Sequence, residues 1–213
     1  MGVLYRTGGL PPVQAHFDMD GTLYDTVGSN YYAYKEALEQ CGYTLDREFF
    51  ANVCFGHNYK TFVPLIIKDN LKGEYTGQEL DSQVKERVTE ELLEKVHEVK
   101  KEVYQKYFDE IRVNEGLINL IKRIKYNTNV ALVTTASKKN VYDILEHFHH
   151  VDLFDYIFTQ EDVKEQKPDP TCYIVAMEHF GVKPEESYIY EDSDVGLKAA
   201  YKSGANVIKV GKF

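Results

Sequence analysis

The chain has 213 residues, 34 acidic side chains against 25 basic ones, a formal net charge of −9 at pH 7 and a sequence pI near 5.3. That balance disfavours a surface built for nucleic acid or anionic lipid, and no apolar run reaches membrane-spanning length. The length suits one sizeable domain, or a core domain with an insertion, and either can bury an ample core unaided. Cys41, Cys54 and Cys172 are odd in number and form no C-x-x-C, so a disulfide framework or a zinc knuckle is not indicated and a reducing cytoplasm fits. Met1 to Pro12 lacks the basic-then-apolar pattern of a signal peptide, and its Gly8-Gly9 and Pro11-Pro12 suggest a mobile lead-in. Nothing in the sequence demands more than a monomer.

The first element is a short β-prone run, Val13–Phe17, leading into Asp18-Met19-Asp20-Gly21-Thr22-Leu23-Tyr24-Asp25. From Ser29 to about Arg112 the strand signal disappears. Ser29 can cap a helix Asn30–Cys41 stopped by Gly42, and Asp46 a short one, Arg47–Cys54. A third helix is expected over Tyr59–Asn70, kinked or started at Pro64. Thr76-Gly77-Gln78-Glu79 reads as a capping box opening a long helix, whose stripe is Leu80, Val84, Val88, Leu92, Val96, Val99, Val103 and Tyr107. Such a stripe is a packing face, so this block reads as a small helical bundle.

After Gly116 helix and strand alternate: a helix through Leu117–Ile124, strand Val130–Val133, helix Asn140–Phe148, strand Tyr156–Phe158, helix Thr171–Phe180 stopped by Gly181, strand Tyr188–Tyr190, helix Val195–Ser203 before Gly204, and strand Val207–Lys209. Alternation of this kind means a parallel sheet covered on both faces. Ligands then bind at the carboxyl ends of strands, near the point where strand order reverses. Asp18, Thr134 and Glu191-Asp192 all fall at such ends. The spacings of His147, His149 and His150 do not gather three imidazoles on one helical face, which leaves a helix end where basic side chains suit the dipole.

Two carboxylates two residues apart on an extended segment point the same way, and a following Gly lets the backbone turn away from them. Such a pair can bind a divalent cation, attack an electrophile or trade a proton. An EF-hand fails on residues, because Leu23 stands where the loop needs Gly and Ser29 where it needs a bidentate Glu. The partners further along are Val130-Ala131-Leu132-Val133 ending in Thr134-Thr135-Ala136-Ser137, then Gln166-Lys167-Pro168-Asp169-Pro170, then Tyr188-Ile189-Tyr190 ending in Glu191-Asp192-Ser193-Asp194. With D-x-D-G-T ahead of them, these resemble the haloacid dehalogenase-like superfamily, over residues 13–28 and 113–210. The resemblance implies an α/β fold: a Rossmann-like, doubly wound parallel sheet core over 1–28 and 113–213, with an inserted α-helical cap over 29–112 of the kind called type 1.

The resemblance also implies roles. Asp18 is the expected nucleophile, forming an aspartyl-phosphate, and Asp20 the general acid/base. Thr134 is the hydroxyl that binds the transferring phosphoryl, with Thr135 as the alternative, and Lys167 neutralises nucleophile and phosphoryl oxygens. An anion approaching a phosphate dianion at about 4 Å is repelled by about 4 kcal/mol even at an effective dielectric near 20. A Mg²⁺ cofactor on Asp18, Asp192, Glu191 and the backbone carbonyl of Asp20 cancels that. Asp194 is expected at most to cap the last helix. Gly21, Thr22 and Ala136 are candidates to offer backbone N–H groups to phosphate, and His57 and Lys60 are candidates for substrate contact.

The leading reading is a Mg²⁺-dependent phosphatase acting on a small soluble phosphomonoester, with no nucleic-acid or membrane partner. A phosphosugar mutase of the β-phosphoglucomutase type is the second enzymatic reading. A non-catalytic binding protein on the same fold is the third.

Overall fold

A computed structural model describes residues 13–55 and 57–213. The expected lead-in over Met1 to Pro12 and the stop at Gly56 lie outside the described residues. Strand β1 spans Gln14–Phe17, and a two-residue strand β2, Tyr24–Asp25, follows the Asp18-to-Leu23 loop. The chain divides into two compact units, one of residues 1–25 with 112–213 and one of residues 26–111.

The second unit is helical: α1 Val27–Glu39, α2 Arg47–Phe49 running on as a π turn Phe50–Cys54, α3 Tyr59–Leu71, α4 Gly77–Arg87 and α5 Glu90–Val103, then a 3₁₀ segment Tyr104–Glu110. Helix α1 starts earlier than Ser29 predicts. The Ser29 hydroxyl donates back to the Thr26 carbonyl inside the first turn, so Ser29 is no cap. Gly28 packs where a Cβ would lie 3.1 Å from the Glu110 carbonyl oxygen, which puts Gly28 with this unit and not with the core as expected. The expected single long helix is two. Val88 leaves helical geometry with ψ 76°, and Thr89 caps a new helix by accepting from the Leu92 N–H at 3.1 Å, with Glu90 and Glu91 in its first turn. Thr76 sits at the N-cap of α4 without a side-chain bond, and Gly77 there takes φ +56°. Pro64 lies inside α3. The unit's core runs from Tyr31, Tyr34 and Leu38 through Phe50, Phe62 and Ile66 to Leu93 and Val96.

Chain return is made by β3, Arg112–Val113, which pairs antiparallel with β2 and brings Arg112 to Asp25. The core continues as α6 Glu115–Ile124, β4 Asn129–Val133, α7 Lys138–His147, β5 Tyr156–Phe158, α8 Thr171–Phe180, β6 Ser187–Glu191, α9 Asp194–Lys202 and β7 Asn206–Lys209. The sheet order is β5-β4-β1-β6-β7, and every pair is parallel. Val130 to Val133 are buried without interruption, as a strand covered on both faces requires. Ala131, Val133 and Ile189 meet Cys172, Tyr173 and Ala176 of α8 and Ala199 and Ala200 of α9. Strand order reverses at β1, so the segment after Phe17 leaves the sheet at its switch point.

Strand β1 carries Gln14 and His16 on that same face, fully buried, and none of their side-chain nitrogens and oxygens has a protein hydrogen-bond partner. Burial pushes the His16 imidazole down to about 3 from 6.5. Between those values the unfolded chain binds a proton that the folded chain refuses. Stability from this group is therefore complete above about pH 6.5 and falls as pH drops towards 3, by up to about 1.4 kcal/mol per pH unit. Urea unfolding from pH 7 to pH 4 is expected to give a shallower loss for His16→Leu than for the unaltered chain; equal slopes would contradict the assignment.

Candidate active site

Asp18 is the first residue past β1, and its N–H donates to the Tyr190 carbonyl of β6 at 3.0 Å, which extends the sheet by one rung and fixes the carboxylate at the strand end. The loop after it is tight. Leu23 and Tyr24 N–H both donate to the Met19 carbonyl, and Gly21, at φ +88°, donates to the Tyr24 carbonyl at 2.8 Å. Asn114 braces the turn from outside, with Nδ2 on the Thr22 carbonyl at 3.1 Å and its own N–H on the Leu23 carbonyl at 2.9 Å. Asp20 is half-buried at the head of this loop.

Lys167 precedes α8, and its side chain is 3 % exposed. Its Nζ donates to Asp18 Oδ1 at 2.6 Å, to Glu191 Oε2 at 2.8 Å and to the Val133 carbonyl at 3.2 Å. Glu191 ends β6, fully buried. Its Oε2 also accepts from the Tyr173 hydroxyl at 2.8 Å, and its Oε1 accepts from the N–H groups of Asp192 and Ser193 at 3.1 Å and the Ser193 hydroxyl at 2.9 Å. Gly196 makes room for it, since a Cβ there would overlap the Glu191 carboxylate. Gly21 does the same for Asp192, whose Oδ1 accepts from the Thr22 hydroxyl at 2.9 Å. Ser193, and not Asp194, caps α9 by accepting from the Gly196 N–H at 3.0 Å.

Among the described residues, Asp18, Glu191 and Asp192 form a group with ligand oxygens all within 4.8 Å of one another. Burial pushes the Asp18 carboxyl well up, with Lys167 opposing and Glu191 and Asp20 adding to the rise. Burial likewise raises Asp192, against the Thr22 hydrogen bond. At Glu191 burial acts upward too, but the Lys167 charge and the bonds from Lys167, Tyr173 and Ser193 overcome it and hold the carboxyl below its usual range. Lys167 meets two of these three carboxylates, Asp18 and Glu191, and the hard-oxygen donors of the group fit a small divalent cation that would supply further positive charge.

The residues expected to cradle phosphate lie in the turns after β1 and β4. Thr134 is buried, and its hydroxyl accepts from the Ala136 N–H at 3.1 Å, which leaves its O–H to donate; Thr135 beside it is exposed. The Gly21 N–H is bound within its own loop, and Thr22 is fully buried with its hydroxyl on Asp192. His57 and Lys60 belong to the second unit, where His57 is exposed and Lys60 pairs with Glu90 and, at 3.4 Å, Glu94. Tyr173 and Asn114 escape the sequence reading, and Ser193 and Gly196 enter it only as the continuation of the acidic motif after β6. Nothing in the sequence marks Tyr173 or Asn114.

A family model described as haloacid dehalogenase-like hydrolase matches residues 16–210. The chain is 27 % identical over 194 residues to the "Phosphorylated carbohydrates phosphatase" of Thermotoga maritima, across 88 % of this chain and 80 % of that one. It is 24 % identical to the "Beta-phosphoglucomutase" of Bacillus subtilis, across 92 % and 82 %. Among solved structures, CbbY from Rhodobacter sphaeroides in complex with phosphate superposes with a TM-score of 0.73 at 26 % identity, covering 94 % of this chain and 87 % of that one.

Since the Glu191 carboxylate occupies the space of a Gly196 side chain and is pinned by protein donors, it cannot swing aside cheaply. Gly196→Ala is expected to lower unfolding free energy by about 1–3 kcal/mol. Chemical denaturation measures this, and a change under about 0.5 kcal/mol, the size of an ordinary surface substitution, would refute it.

Proposed function

We infer the function from one premise: the chain belongs to the haloacid dehalogenase-like hydrolase family. It is a phosphoric monoester hydrolase. Within that class the reading favoured is a Mg²⁺-dependent phosphatase that works through an aspartyl-phosphate on a small soluble ester, phosphorylated carbohydrates being the class named for one relative. The observation that carries it is the 2.6 Å contact of Lys167 Nζ with Asp18 Oδ1 at the end of the central strand, with Asp20 two residues on. Three unpaired cysteines and the absence, among the described residues, of any helix long and apolar enough to cross a membrane agree with work in a reducing cytoplasm.

In the first half-reaction an Asp18 oxygen attacks phosphorus as the ester P–O bond breaks, and Asp20 gives its proton to the departing oxygen. In the second, Asp20 takes a proton from water, the water oxygen attacks phosphorus, and the acyl phosphate bond breaks to return the Asp18 carboxylate and inorganic phosphate. Lys167 holds Asp18 on line and meets the charge that builds on the phosphoryl oxygens. Thr134, at the end of β4, takes the phosphoryl-binding role, since accepting from the Ala136 N–H uses a lone pair of its hydroxyl and not its O–H, with Thr135 as the alternative. A Mg²⁺ ion held by Asp18, Asp192 and the Asp20 carbonyl would supply positive charge against the repulsion between nucleophile and phosphate.

A mutase is the second reading, favoured by the relative named beta-phosphoglucomutase. The resemblance to that branch implies a His, linked to delaying hydrolysis until a sugar acceptor binds, at the position that Asn30 holds in this chain. The Asn30 amide donates to the Thr26 carbonyl at 3.0 Å and the Tyr104 hydroxyl at 3.1 Å, and it has no titratable proton. Water is therefore the acceptor.

Asp18→Asn is expected to cut turnover by at least about 10³-fold, and Asp20→Asn by about 10²–10⁴-fold, in a phosphate-release assay over a metabolite panel. Retention of more than a few per cent activity in Asp18→Asn would sink the nucleophile assignment. EDTA should silence the unaltered enzyme and Mg²⁺ restore it; full activity in EDTA contradicts the cation. Free phosphate should appear with no bisphosphate activator, and efficient conversion of β-glucose 1-phosphate to glucose 6-phosphate would favour the mutase instead.

A further inference from the structure

Tyr173 lies on α8 at the back of the site, fully buried, and has no part in the chemistry above. Its hydroxyl donates to Glu191 Oε2, the same oxygen that accepts from Lys167 Nζ, each at 2.8 Å. Its ring lies beside the ammonium, with Nζ 5.0 Å from the ring centroid, and the His16 ring meets it edge-on at 6.3 Å. With the three donors on Oε1, Glu191 receives protein hydrogen bonds on both oxygens and has about four lone-pair sites to offer them.

We propose that Tyr173 is a positioning residue for phosphoryl transfer, acting through Glu191 to set where Lys167 points. A lysine ammonium is a point charge on a flexible stem, so its direction is decided by its acceptors. Two of them here are carboxylates, and they compete. The Tyr173 hydroxyl draws on the charge of Glu191 Oε2, which keeps Glu191 from claiming the ammonium outright and leaves it directed at Asp18 Oδ1, 2.6 Å away. The ring face adds a second, direct hold on the ammonium. The proposal rests on the phosphatase reading for its catalytic consequence, but its geometric content does not.

Tyr173→Phe keeps the ring and removes the hydroxyl. For p-nitrophenyl phosphate with Mg²⁺, kcat is expected to fall about tenfold while KM stays within about twofold. The ¹⁵N–¹H resonance of the Lys167 ammonium, assigned by its loss in Lys167→Arg, should shift or broaden in the substrate-free variant. In a Glu191→Gln background the same substitution should cost less than about twofold further, since the partner it acts through has changed. A kcat within about twofold of the unaltered chain, an unmoved lysine resonance, an additive loss in the Glu191→Gln background, or a Tyr173→Phe chain that does not fold would each overturn the proposal. The resonance is read without substrate or turnover. Failure of the phosphatase reading would appear separately, as no phosphate released by the unaltered chain.

Discussion

A lysine ammonium buried between two carboxylates is the constraint on which the core depends. Lys167 comes from the segment before α8, Asp18 from the end of β1 and Glu191 from the end of β6, so one cation joins three stretches of chain at the point where strand order reverses. Burying such charges is costly, and only mutual pairing with good hydrogen bonds offsets it. Removing one member leaves the others uncompensated, at about 3–5 kcal/mol. The same electrostatics that hold the loops in register therefore hold the Asp18 carboxylate beside a positive charge. Structure and chemistry share their residues here.

Shape is set around that triad by residues that do no chemistry. Gly21 and Gly196 lack side chains where the Asp192 and Glu191 carboxylates lie. Asn114 does two jobs with one side chain, bracing the loop after Asp20 with its amide nitrogen and capping α6 with its oxygen on the Leu117 N–H at 3.2 Å. Ser193 likewise caps α9 while donating to Glu191. A polar side chain that serves a helix end and the site at once couples the direction of the helix to the position of a carboxylate.

The helical unit is organised by aromatic packing. Phe50 meets Tyr31, Tyr34, Phe55 and Phe62, and Tyr34 packs edge-on to Phe62 at 4.9 Å. Tyr104 ties its ends together, its hydroxyl accepting from the Asn30 amide and lying 3.3 Å from the Ser29 hydroxyl, while Lys100 lies 3.7 Å from its ring centroid. Asn30 is thereby held by neighbours in its own unit.

The amino-acid sequence by itself determined the α/β class, the alternation after Gly116 and the helix Thr171–Phe180 to the residue, because period-2 and period-3.6 patterning are local properties of the chain. The break at Val88–Thr89 was also local, written in Thr89-Glu90-Glu91, yet a continuous apolar stripe masked it. What only the tertiary structure decided is what each polar group is bonded to. Thr134 and Thr135 are alike as neighbours in sequence, and it takes the turn at Ala136 to bury one hydroxyl and expose the other. The N–H groups of Gly21 and Ala136 look available until their loops close on them. Tyr173 reads as one more apolar residue on a helix face, and becomes part of the site only because α8 packs beneath β6 and brings its hydroxyl to Glu191. A hydrogen bond between residues distant in the chain depends on register and packing together, and neither is encoded at either residue alone.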